Sequence, residues 1–98
     1  MITSLTQKET ETGLELSASI ESYNLCILGL DIKTNGFKGG NHSHGSRTTL
    51  NFKDNGSAFI SCSVHDKGIT LIFEGDAELE TLANVLQEAA QVLAPYRR

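Results

Sequence analysis

From Leu14 to Phe73 apolar residues return at every second position in run after run, and beyond Gly75 their spacing changes to three and four. A period of two belongs to a strand with one buried face, and a period near 3.6 to a helix with one buried stripe. Strands followed by one helix specify an α+β domain in which the helix closes an antiparallel sheet. The pattern predicts about five strands and a C-terminal amphipathic helix over residues 76–94, in a single domain spanning residues 1–98.

Leu14, Leu16, Ala18 and Ile20 alternate with Glu15, Ser17, Ser19 and Glu21, which reads as a half-buried strand. From Leu25 to Ile32 both phases begin apolar, as expected for a central strand covered on two sides. Leu50 and Phe52 mark a third strand. Asp54-Asn55-Gly56 has the residues of a tight hairpin, because Asn and Gly tolerate positive φ. Ala58, Ile60, Cys62 and Val64 follow as a fourth strand, Asp66-Lys67-Gly68 as a turn, and Ile69, Leu71 and Phe73 as a fifth. The last three strands read as a meander. Residues 1–12, rich in Thr and Glu, read as a flexible arm or a weak edge strand.

Leu79, Leu82, Leu86 and Leu93 recur at helical spacing, with Ala83, Ala89 and Ala90 beside them, and Pro95 ends the segment. Asp76 is placed to accept hydrogen bonds from the free amides of the first turn, and Glu78 and Glu80 suit the positive end of the helix dipole. One helix covers one sheet face. The second phase of the strands carries Leu25, Ile27, Phe59 and Ile72. That is too apolar for a solvent face, so a homodimer or a higher symmetric oligomer is expected.

The chain has 98 residues, net charge −4 and no apolar run near the roughly 18 residues of a membrane span. Its first residues lack the pattern of a signal peptide, so a cytoplasmic location is expected. An acidic balance excludes an extended nucleic-acid footprint. Cys26 and Cys62 lie far apart in strand-like segments without metal-ligand spacing, and read as buried free thiols.

Residues 33–47 break the pattern. The segment holds four glycines, the basic residues Lys33, Lys38 and Arg47, two histidines and no acid, and it carries +3 while the rest of the chain carries −7. Glycines let successive backbone amides converge on an anion. Arg47, Lys38 and the hydroxyl of Thr48 can pair with phosphate or carboxylate oxygens. The expected ligand-binding set is Lys38, Gly39, Gly40, His42, His44, Gly45, Arg47 and Thr48. The segment matches neither the Walker pattern nor a dinucleotide fingerprint.

His42 and His44 form an HxH pair, and with His65 they are weak candidates for a zinc site. Gly40-Asn41-His42-Ser43 lacks the glycine that a nucleophile elbow needs two residues before its serine. No catalytic constellation is present, so no catalytic residue and no cofactor is expected. The function expected is a small non-catalytic binding protein that captures a phosphorylated or nucleotide-like anion with its Gly/His/Arg loop. The alternatives are a protein–protein inhibitor, immunity or adaptor module acting through its sheet face or acidic helix, and a small His-metal enzyme.

Overall fold

The computed structural model describes residues 2–10, 13–36 and 46–96, and of residues 8–10, 13 and 14 the backbone alone. The strands are β1 (Ile2–Thr10), β2 (Gly13–Tyr23), β3 (Ile27–Thr34), β4 (Thr48–Gly56), β5 (Ile60–His65) and β6 (Gly68–Phe73). Helix α1 (Asp76–Leu93) follows and ends in a single 3-10 turn, Ala94–Tyr96. The chain is therefore α+β, with antiparallel sheets and one C-terminal helix. Its sheet is divided: β1 to β4 pair in sequence order as one four-stranded sheet, and β5 and β6 form a separate hairpin.

This differs from five strands ending in a meander, and the reason lies at Asp54. Its Oδ1 accepts the amide hydrogens of Gly56 and of Ala58, both at 3.0 Å. Ser57 then takes a left-handed conformation at φ 56°. The Asp54-Asn55-Gly56 signal thus bends the chain away at the end of β4. It does not fold β5 back onto β4.

The alternation in β2 and β3 decides where the core lies. Leu16, Ala18 and Ile20 of β2 and Leu28, Leu30 and Ile32 of β3 point to one face and are buried there. Each large aliphatic chain so placed contributes ~1.5–3 kcal/mol. The opposite face carries Ser17, Ser19, Glu21, Asp31, Lys33, Thr49, Asn51 and Lys53 in register, and faces water. Lys53 Nζ and Asp31 Oδ2 form an ion pair at 3.0 Å on it, and the Ser19 hydroxyl donates to Asp31 Oδ1 at 2.9 Å.

The apolar second face is thereby corrected. Leu25 lies in the β2–β3 turn and Phe59 between β4 and β5, Ile27 is half-buried, and Ile72 belongs to the hairpin. A register shift between Ile27 and Leu28 leaves Asn55 of β4 without a partner and sets Gly56 opposite Ile27.

Helix α1 lies across β2 and β3. Its buried stripe is Glu78, Thr81, Val85, Ala89 and Val92. The leucine stripe read from the sequence is rotated off this centre: Leu82 and Leu93 pack at the margin of the core, and Leu79 and Leu86 are exposed. Small side chains at the centre let the helix approach the sheet closely. Two contacts orient it. The Thr3 hydroxyl of β1 donates to Glu88 Oε1 at 3.0 Å, and Asn84 Nδ2 donates to Ser22 Oγ of β2 at 3.4 Å. The leucine flank consequently faces the β4 and hairpin side.

There Phe52 of β4 and Phe73 of β6 meet edge to face, with ring centroids 6.0 Å apart. They join the core to the hairpin, whose outer half projects. The Cα radius of gyration is 15.0 Å, against about 12.6 Å for a compact domain of this length. No helix among the described residues is long and apolar enough to cross a membrane.

Candidate functional site

The segment expected to bind an anion leaves the sheet through a closed neck. The Asn35 amide donates to the Arg47 carbonyl at 3.3 Å, and the Arg47 amide donates to Asn35 Oδ1 at 2.7 Å. One residue further in, the Thr34 and Thr48 hydroxyls lie 2.9 Å apart. The Gly36 amide donates to Thr34 Oγ1 at 3.0 Å, and Gly36 adopts φ 76°. A polar pair and a left-handed glycine thus bring the two ends of the segment together.

Of the expected ligand-binding set, Lys38, Gly39, Gly40, His42, His44 and Gly45 lie outside the described residues. Arg47 lines a shallow cavity of about 260 Å³ on the outer sheet face, with Glu15, Lys33, Thr34, Asn35 and Thr49. Thr48 is in register with Thr34, one strand position round from Arg47 and Thr49. Neither Lys33 nor Arg47 forms an ion pair among the described residues, whereas Lys53 on the same face is engaged by Asp31. The residue that sequence reasoning missed is Glu15. It is remote from the acid-free stretch along the chain, yet as a residue of β2 it lines the same cavity as the two cations.

The metal candidates divide in the same way. His42 and His44 lie outside the described residues, and His65 ends β5 at the hairpin tip, its Nε2 2.8 Å from Thr70 Oγ1. The described residues contain no group of three or more His, Cys, Asp or Glu side chains able to hold a metal ion. Cys26 is buried as expected. Cys62 is exposed, on the outer half of the hairpin, where no described residue covers it.

The opposite pole of the molecule holds a different arrangement. Cys26, in the turn after Tyr23, is buried with its Sγ 3.8 Å from Thr81 Oγ1 of α1. The Asn24 amide closes the turn on the Cys26 carbonyl at 2.9 Å. With Cys26 held inward, Leu25 is turned out: it takes φ 58° and is 96% exposed. A bulky residue in the left-handed region is a conformational outlier.

Phe59 repeats the theme. Its amide donates to Glu78 Oε2 at 3.3 Å and its carbonyl accepts from the Glu74 amide at 3.0 Å, yet its side chain is 71% exposed. Thr81 and Glu78 stand one helical turn apart, so Leu25 and Phe59 are anchored to the same end of α1. Tyr23 is half exposed beside them. The same pole gathers the exposed acids Asp54, Glu74 and Asp76 around the helix start, and its described base, Lys53, is already paired. Asp76 is the first helical residue and makes no side-chain cap; Gly75 precedes it at φ 128°. The sequence signal for this pole is a large apolar residue beside a turn former, Asn24-Leu25 and Ser57-Ala58-Phe59.

No protein-family model, no curated protein and no solved structure matches the chain.

Proposed function

We propose that the chain is a non-catalytic protein-binding module, of the inhibitor, immunity or adaptor kind, that takes a basic protein partner at the pole formed by the β2–β3 turn, the β4–β5 connection and the start of α1. The observation that carries this reading is Leu25. Its backbone is held in a costly conformation by the buried Cys26, and its side chain is left in water. Phe59 has the same combination of fixed backbone and free side chain. Apolar anchors held rigid before binding lose little entropy when they enter a partner's pocket. The acids around them favour a partner with a basic rim and speed its approach.

A photo-crosslinking residue at position 59 tests this in cells that make the protein. The expected result is one crosslinked basic protein, lost on Leu25→Asp and weakened by salt. A diffuse crosslinking pattern, or the same pattern from a crosslinker at position 51 on the outer sheet face, refutes it.

Anion capture at the neck is the second reading, favoured by two cations in one concavity, Lys33 and Arg47, that form no ion pair among the described residues. Glu15 opposes it, since a carboxylate in the cavity repels a phosphate. Calorimetric titration with inorganic phosphate and nucleotides decides it. Binding that falls with salt and is lost on Arg47→Ala sustains the reading, and a silent panel removes it.

A further inference from the structure

We infer that the apolar face of the β5–β6 hairpin, continued by β4 and the leucine flank of α1, is the interface of a two-fold homodimer. In the register of the hairpin, Cys62 lies opposite Leu71 and Val64 opposite Ile69, all on the face that Ile60 and Phe73 continue into the core. Beyond Phe73 this face has no cover among the described residues. Val64 is 80% exposed and Ile69 63%. Leu50 of β4 and Leu86 of α1 are likewise half exposed. A two-stranded hairpin is at best marginally stable in water unless a third element covers it, yet this one keeps an unbroken ladder from Ile60↔Phe73 to His65↔Gly68.

Charge identifies the cover as a second copy. The chain carries −4 overall, and Asp54, Glu74 and Asp76 stand exposed at the Leu25 pole, so two copies that meet there bring like charges together. The hairpin is different: its tip carries Asp66 and Lys67 side by side and its apolar face carries no charge. A two-fold axis here joins identical apolar surfaces without stacking acids.

This inference is independent of the proposed partner at the Leu25 pole, and the experiment separates them. Sedimentation velocity from about 1 to 100 µM, the range of a moderate interface, is expected to show monomer giving way to dimer. Ile69→Lys and, as a second variant, Val64→Glu are expected to weaken the dimer at least about a hundredfold, since each buries an unpaired charge. Leu25→Asp is expected to leave it unchanged. Labelling of the Cys62 thiol is expected to slow as wild-type concentration rises. That readout stands even where a hairpin variant fails to fold. A wild-type monomer at every concentration, a dimer that survives both hairpin substitutions, or Cys62 labelling independent of concentration overturns the inference.

Discussion

The 3.8 Å contact between Cys26 Sγ and Thr81 Oγ1 ties the β2–β3 turn to the first turns of the helix. Thr81 is fully buried, and its hydroxyl also lies 3.0 Å from the Ala77 carbonyl and 3.1 Å from that of Glu78. A threonine inside a helix is tolerated here because its hydroxyl is satisfied locally. Thr81→Val keeps the shape and removes the hydroxyl. It is expected to cost about 0.5–1.5 kcal/mol in urea unfolding, and to speed hydrogen exchange at the Asn24 amide. Unchanged exchange would show that the turn holds Leu25 outward without help from the helix.

The rotation of α1 makes neighbouring positions unequal. Val85 is fully buried and Leu86 is half exposed. Val85→Ala is expected to cost about 1–3 kcal/mol. Leu86→Ala is expected to cost less than about 1 kcal/mol at low micromolar concentration, and, on the dimer inferred above, more at higher concentration. Equal costs for both variants in dilute solution would contradict the orientation set by Thr3–Glu88 and Asn84–Ser22.

Gly75 is required for two reasons. Its φ of 128° is one that side chains rarely adopt, and an added Cβ would collide with the Glu78 carboxylate that holds the Phe59 amide. Gly75→Ala is expected to destabilise by more than about 1 kcal/mol and to release the Phe59 amide to exchange. A variant as stable as the parent would show that the helix start can shift without loss.

Asp31 supplies the pH dependence. The hydrogen bond from Lys53 is the main cause that holds its carboxyl below the ordinary 3.8, and the Ser19 hydroxyl adds to it against the opposing effect of burial. A carboxyl with a lowered folded pKa contributes stability that is present above its unfolded value and lost as pH falls through the folded one. The contribution therefore disappears below about pH 4. The pair is solvent-exposed, so it is worth roughly 1 kcal/mol at most. A carboxyl NMR titration of Lys53→Met is expected to move the Asp31 midpoint upward. No movement would assign the shift to Ser19.

The class of fold and the identity of most core residues were legible in the sequence. Period-two alternation places Leu16, Ala18 and Ile20 on one face whichever strand lies beside them, because alternation is a property of the backbone itself. The Asp66-Lys67 turn was legible for the same local reason. The division of the sheet at Asp54 was not. The same Asp-Asn-Gly residues serve a tight hairpin or a side-chain-bonded bend, and packing of Phe52 on Phe73 belongs to the second arrangement. Nor could spacing alone tell the centre of the helix stripe from its flank: Leu86 and Val85 are adjacent in sequence, and contacts to β1 and β2 decide which one faces the sheet.

For the candidate sites the boundary falls between composition and proximity. The sequence by itself determined that a basic, acid-free segment joins two strands, and that large apolar residues stand beside turn formers. Only the tertiary structure brought Glu15 to Arg47, because strand pairing joins residues far apart along the chain. It also decided that Cys26 turns inward and Leu25 outward, because Thr81 occupies the space beneath the turn and the chain can satisfy that contact with one neighbour alone.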